Sequence, residues 1–510
     1  MKQKHIRLFL TVVLFVLVSV SFMGEKVAKD GGIGWDGEIY LNTIQTFSDR
    51  FFTHGYDQYG IQRVLPYGLV NILFQLCGIR ATAESALWAA GFLSLIALGF
   101  CVFYFFRISS LMGWGLDTEV IAFASLFYSY PILKTLGYYI LQSDIFGFLL
   151  GIMLLYFFLS KNKWALVACS VVGAFVWPVV SICGLALAFF PSDEIQLNSF
   201  TGKKDLHIWR GLVYLTALAP FFILVLSIIW CQEGVMTPFR GHCPLTMPRN
   251  GYWAFFNCAC SCVFLLYVTS AFRVSVTSLL KDLFNSKTYW RWVAFIVSYL
   301  LIALILRILA NDEQGNLTAK SAAVGVVLTS MTDPFVFIEN HFIYFGPAIL
   351  VVLLSWRRCA KYSLSYGAGY MFVFAAGVFF SLRPESRVTV SFLPFLLFPT
   401  MCFLDSLSLK RWVKWGYVLL CLVVSRFWFP INVPGMERYL AWDNLEHYTE
   451  FPAQRYFMST GHWQSHEMYV VFMTVTVVCL IVFYYGAKRQ WFIRRENDGD
   501  RSSNCSIESL

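Results

Sequence analysis

Lys2-Gln3-Lys4-His5-Ile6-Arg7, followed by the uncharged run Leu8-Phe9-Leu10-Thr11-Val12-Val13-Leu14-Phe15-Val16-Leu17-Val18-Ser19-Val20, is the stretch from which the fold can be read. A basic flank ahead of an apolar run is the arrangement of a first membrane span whose cations stay in the cytoplasm. A secretory signal peptide opens in the same way. The residues up to Met23 offer no clear small-x-small cleavage site, and similar apolar runs recur along the chain, so the segment reads as a retained span.

Outward from it, apolar segments fall at 84–106, 119–133, 144–159, 164–178, 179–191, 211–231, 252–272, 292–309, 341–356, 365–381, 388–405, 413–430 and 468–485, which with 8–23 makes fourteen. Several are shorter than the ~20 residues of a full crossing. The shortest pair, split at Trp177-Pro178, reads as a broken helix or a re-entrant pair. Composition agrees: 58% of the 510 residues are hydrophobic, 14% are charged and Phe occurs 50 times. Soluble domains carry about 25% charged residues. The expectation is an all-α, polytopic transmembrane helix bundle of 12–14 spans. It forms one domain over 1–495, with a disordered cytoplasmic tail at 496–510.

The net charge of +9 is a topology signal rather than a nucleic-acid footprint. Threaded from a cytoplasmic amino terminus, the chain places most of its cations in short inner loops, among them Lys161, Lys163, Arg273, Lys281, Arg357, Arg358, Lys410, Arg411 and Lys488. The longest outer loops, 24–83, 232–251, 310–340 and 431–467, carry many of the acids instead. Both termini are then cytoplasmic. Without a retrieval signal, the expected location is a bacterial inner (cytoplasmic) membrane. Most of the 14 cysteines lie in apolar segments and behave as small hydrophobes. Cys258, Cys260 and Cys262 alternate around a helix and do not suggest a metal site, while Cys231 and Cys243 bracket an outer loop where a disulfide is open.

The polar residues best placed for chemistry lie in the first outer loop: Gly34-Trp35-Asp36-Gly37-Glu38-Ile39-Tyr40, then Gln62-Arg63-Val64-Leu65-Pro66-Tyr67. Here the sequence resembles bacterial membrane proteins of the GT-C glycosyltransferase superfamily. These hold an essential acid in an Asp-Gly-x-x-Tyr pattern, followed by a Gln-Arg-x-Leu-Pro element leading into an amphipathic stretch like 64–80. The motif covers about the first seventy residues, and the many-span plan extends the likeness loosely beyond. It implies sugar transfer from a polyprenyl-phosphate donor on the extracytoplasmic face, with Asp36 as the base that takes a proton from the acceptor hydroxyl. Gly37 would allow a turn that frees the carboxylate. Glu38 or Asp144, the latter in Gln142-Ser143-Asp144, would position the acceptor or share a divalent cation such as Mg or Mn. Asp36-Gly37 is equally a surface turn, and Ser143-Asp144 a helix start.

A lipid phosphate would need cations. Arg63 lies beside Gln62, Arg307 and Arg426 lie near the outer ends of apolar spans, and Arg383 and Arg387 flank Glu385 in Leu382-Arg383-Pro384-Glu385-Ser386-Arg387. Intramembrane charge is costly and usually functional, and a guanidinium fits phosphate in a forked geometry. The last stretch is similar to a Glu-x-Arg…Pro element of lipid-dependent mannosyltransferases, although Pro394 stands seven residues past Arg387. Snorkelling, or pairing with Glu385, is the plain alternative. Tyr40, Gln62, Glu385, His462, Trp463 and His466 are candidate contacts for sugar or acceptor. His462 and His466 have a helical spacing that a metal can use but no third ligand nearby. Asp333-Pro334 and Glu339-Asn340-His341 complete the outer polar set, and Asn316-Leu317-Thr318 matches a glycosylation triplet. The expected partners are membrane lipid, a lipid-linked sugar donor and a glycan, lipid or protein acceptor. Two other activities fit the same outline, namely a polymerase or ligase of lipid-linked oligosaccharides and a transporter or flippase.

Overall fold

The computed structural model describes residues 2–27, 29–191, 203–232, 253–311, 319–432, 464, 466–488 and 492–494. The N-terminal half contains α1 (Lys2–Met23), α2 (Trp35–Phe52), α3 (Gln58–Ile61), α4 (Leu65–Cys77), α5 (Ala83–Met112), α6 (Leu116–Phe127), α7 (Leu136–Tyr138), α8 (Asp144–Leu159), α9 (Lys163–Ala174), α10 (Pro178–Phe189) and α11 (Lys203–Gln232). There follow α12 (Trp253–Ser270), α13 (Val276–Leu283), α14 (Ser286–Leu309), α15 (Ala319–Thr329), α16 (Val336–Phe345), α17 (Ala348–Leu354), α18 (Trp356–Leu364), α19 (Gly367–Phe380), α20 (Leu393–Asp405), α21 (Arg411–Val424) and α22 (His466–Lys488). One antiparallel pair, β1 (Leu407–Leu409) with β2 (Phe492–Arg494), is the strand structure of the described residues.

The chain is an all-α, multi-pass membrane protein. Six described helices are long and apolar enough to cross a bilayer: α1, α5, α11, α12, α14 and α22, or seven segments if α6 and Pro131–Tyr138, bent by 51°, form one span. The other predicted spans recur as shorter helices. The segment at 341–356 divides because Gly346 takes φ 89° and Pro347 has no amide to donate, so α16 ends and α17 begins afresh. The pair around Trp177-Pro178 is a hairpin of two 12-residue helices, α9 and α10, folded against each other. A Cβ on Gly184 would come within 2.2 Å of Ser170 Oγ, so the close approach needs a bare backbone there.

Lipid-facing surface accompanies these spans. Leu8, Phe9, Val12, Val16 and Val20 stand exposed on α1 while Leu10, Leu14 and Val18, four apart, are buried. The exposed Trp164, Trp290, Trp412 and Trp415 mark one end of the bundle, and Trp88, Trp253 and Trp428 mark the other. Interfacial tryptophans collect at such depths. The first group shares its end with Lys161, Arg357, Lys410 and Arg411, and we call it the basic end. The opposite end holds the predicted first outer loop, which is no loop but three helices. There α4 buries Tyr67, Val70 and Phe74 and exposes Leu69, Leu73 and Leu76.

The first helix is bolted in at the basic end. Arg7 donates from Nε and Nη2 to Glu119, at 2.9 Å to Oε1 and 2.5 Å to Oε2, and Gln3 adds a bond of 3.1 Å. Glu119 is fully buried. At the other end Glu25, just past α1, accepts from Lys134 Nζ at 2.7 Å and from the amides of Ile431 and Asn432. This clamps segment 429–432 onto the chain between α1 and α2. Burial raises the Glu25 carboxyl, and the Lys134 ammonium with the two amides more than reverses it, so its pKa lies below the usual value of 4.5. A depressed carboxyl stabilises the fold above its unfolded pKa and loses that contribution as pH falls through the folded one. Glu25→Gln is therefore expected to cost ~2 kcal/mol at neutral pH. The gap between the melting temperatures of wild type and variant should close as pH is lowered below 4.5; a gap constant with pH would refute the clamp.

Candidate functional site

The site end gathers charges from four separate stretches of chain. Asp36 stands in the first turn of α2, whose amides at Asp36 and Gly37 donate to the Tyr139 hydroxyl at 2.8 and 3.3 Å. The N-cap, Gly34, has no side chain to do this. Its φ of 76° suits glycine, and a Cβ there would lie 2.3 Å from the Tyr139 ring. The Asp36-Gly37 dipeptide is thus a helix start and not the turn expected from sequence. Gly37 supplies space, since a Cβ would meet Leu141 at 3.3 Å. Burial raises the Tyr139 phenol, and the Asp36 carboxylate pushes the same way, so it remains protonated.

From 351 positions away, Arg387 Nη2 donates to Asp36 Oδ2 at 2.7 Å. Its Nε donates to Glu385 Oε1 at 2.8 Å, and Arg383 pairs with the other oxygen of Glu385. The two arginines therefore share one carboxylate, and Arg387 bridges two. A guanidinium does this from donors on separate nitrogens held in a fixed plane. Asp144 opens α8 close enough for its charge to act on Arg387, and Tyr344 donates to Asp144 Oδ2 at 3.4 Å. Ser143 meets the Tyr40 hydroxyl at 2.9 Å, and the Tyr40 ring stacks on Tyr67 at 4.6 Å. Arg63 lays its guanidinium 3.8 Å above the Tyr59 ring, on the flank where the charges of Asp36, Glu385 and Arg387 all reach Tyr59. Gln62, next to Arg63, caps α3 through its backbone.

Beside Asp144 a narrow cleft of about 20 Å³ is lined by Pro131, Ile132, Leu136, Ile145, Phe148 and Val390, with Tyr139 and Gln142 also on its wall. It is apolar along most of its wall and polar at the carboxylate. Pro131 starts a widened turn at 131–135 where the bent α6 segment turns aside, which makes room for it.

Of the residues singled out by sequence, Asp36, Asp144, Arg383, Glu385 and Arg387 come together, with Tyr40 and Arg63 at the margin. Glu38 does not join them. Two positions along a helix put it about 200° round from Asp36, where it is 60% exposed and faces Lys29 at 3.8 Å. Arg307 is exposed on α14 and touches none of these groups. Arg426 is buried elsewhere, donating to the Ile343 carbonyl at 3.1 Å with its guanidinium 4.3 Å from the Tyr130 ring. Glu385 is engaged by two arginines, so it orients cations rather than standing free for a sugar hydroxyl. His466 meets Asp333 at 3.3 Å; His462, Trp463, Cys243, Asn316 and the 496–510 tail lie outside the described residues. Among the described residues no group of three or more His, Cys, Asp or Glu side chains is placed to hold a metal ion. The positive charge between Asp36 and Glu385 is the Arg387 guanidinium.

Tyr139, Tyr344 and Tyr59 were not among the expected site residues. Only the run Gly137-Tyr138-Tyr139 ahead of Asp144 hinted at one of them. A carboxylate near an arginine pair beside an amphiphilic cleft can accept a proton while the cations meet an anion. That defines the class as far as geometry goes: a multi-pass helical membrane protein with an acid–guanidinium cluster at one end. No family model, no curated protein and no solved structure matches the chain.

Proposed function

We propose that the chain is a membrane glycosyltransferase that takes a sugar from a polyprenyl-phosphate donor and passes it to an acceptor hydroxyl on the extracytoplasmic side of a cell membrane. The observation that carries the reading is the 2.7 Å contact of Asp36 with Arg387 next to the Asp144 cleft. Asp36 takes the proton of the acceptor hydroxyl as its oxygen bonds to the anomeric carbon from the face opposite the phosphate. The carbon–oxygen bond to phosphate breaks, its electron pair leaves with the polyprenyl phosphate, and the configuration inverts. Arg387 and Arg383 meet the departing charge, the kind of preorganised stabilisation from which most of such a rate comes. In the resting protein Arg387 is held by Asp36 and Glu385. An arriving phosphate competes for the guanidinium and releases Asp36 to meet the acceptor hydroxyl.

Depth supports a lipid-borne donor. The 16 residues of α8 rise ~24 Å from the basic end, short of the ~30 Å hydrocarbon core. Asp144 then lies a few ångströms below the outer boundary, where a lipid phosphate can approach sideways. The basic end faces the cytoplasm by the charge rule, and both termini with it. Reconstituted protein given a radiolabelled polyprenyl-phosphate hexose is expected to release polyprenyl phosphate and label an acceptor; a ladder of products would identify a polymerase or ligase. Vesicle uptake of a solute without any lipid-linked sugar would turn the reading to a transporter, which the fully buried Glu339, bonded to Asn340 and Gln464, would then serve.

A further inference from the structure

We propose that His341 is the positioning residue for Arg387. His341 lies on α16, buried, and the two bonds of its ring nitrogens go to neither Asp36, Asp144 nor Glu385. Its ring instead holds both ends of the turn that carries the arginine pair. Nε2 bonds to the Ser381 carbonyl at 2.7 Å, and Nδ1 to Ser386 Oγ at 2.9 Å. A carbonyl only accepts, so Nε2 carries the proton, and in that tautomer Nδ1 accepts from the serine. Between these two grips lie Arg383, Pro384 and Glu385, and Arg387 follows directly. Thr389 Oγ1 donates to the Ser386 carbonyl at 2.8 Å, closing the turn on its far side.

The chemistry explains why a histidine stands there. The turn leaves α19 at Phe380 and enters α20 at Leu393, and Pro384 removes one amide from it. Its place relative to α2 is therefore not set by helix hydrogen bonds. An imidazole offers one donor and one acceptor about 2 Å apart in a rigid plane, and so fixes two points of the turn against a helix that belongs to neither neighbour. Arg387 can then meet Asp36 without a search over its own rotamers, which are many and entropically costly to order.

This inference rests on the reading of Arg387 as the phosphate-facing cation, but its test needs no substrate. The melting temperatures of Asp36→Ala, Arg387→Gln and the double variant are measured in membrane-reconstituted full-length protein, in three backgrounds: wild type, His341→Ala and His341→Gln. In wild type the two losses are expected to be non-additive by ~1 °C, because the residues touch. In His341→Ala they become additive within error. His341→Gln, whose amide retains a donor and an acceptor, restores most of the coupling. Coupling undiminished in His341→Ala overturns the proposal and leaves His341 a packing residue. Should the alanine variant fail to fold, His341→Phe keeps the ring volume, lacks both bonds and is read in the same way. Loss of coupling with no sugar transfer in any background would sink the transferase and leave the positioning role intact.

Discussion

Asp36→Asn is expected to lower sugar transfer by ~10²–10⁴-fold, the usual contribution of a positioned base, while expression and membrane insertion stay normal. The substitution keeps the size of the side chain and leaves an oxygen to accept from Arg387. It removes the ability to take a proton together with the negative charge that faces Arg387. Asp36 is 29% exposed at the side chain and Arg387 28%, so solvent screens the pair and its loss should cost the fold no more than ~1 kcal/mol. Glu38→Gln is the internal control, two residues away and facing Lys29. It is expected to transfer at the wild-type rate. Initial rates with a saturating polyprenyl-phosphate donor, alongside the melting temperature of each variant, decide the matter. An Asp36→Asn protein that transfers at full rate ends the assignment of Asp36 as base.

The largest effect on stability is expected from Arg7→Met. Glu119 is buried completely and is reached by Arg7, Gln3 and Ser109. Withdrawing the guanidinium leaves a carboxylate without its cation in the interior, which costs ~3–5 kcal/mol in comparable buried pairs. Its location makes the loss structural as well. Arg7 lies on α1 and Glu119 on α6, so the pair joins the first helix to the bundle 112 residues further on. Reduced melting temperature and a lower yield of monodisperse protein from detergent are the expected readouts. Arg7→Met combined with Glu119→Gln should recover much of the loss, because a neutral amide is cheaper to bury than an unpaired charge. A single variant as stable as wild type would mean that the apolar stripe of Leu10, Leu14 and Val18 alone holds α1.

The membrane class, the helical character and the division of charge between the two ends were legible from residue order. Apolar runs, basic flanks and the break at Trp177-Pro178 act over neighbouring residues, and a linear reading captures them; the break at Gly346-Pro347, inside the span expected at 341–356, was missed. Asp36, Asp144 and Arg387 could each be nominated by chemistry. Glu38 was nominated on the same grounds and faces away, because 34–40 begins a helix instead of a turn, and adjacent positions in the sequence then diverge in direction. Arg307 and Arg426 looked equivalent to Arg387 as cations near span ends; their surroundings differ entirely.

What the sequence determined by itself is therefore how each segment meets lipid and water, since hydropathy and helix period depend on residues a few places apart. Tertiary structure alone decided that Asp36 meets an arginine 351 residues later, that Tyr139 caps the helix bearing it, and that His341 grips the turn opposite. Those contacts depend on the paths of several helices at once and on the space left by Gly34, Gly37 and Gly151, the last with Ser391 O only 2.2 Å from where its Cβ would be. No local pattern encodes a distance between segments that touch only after the bundle has closed.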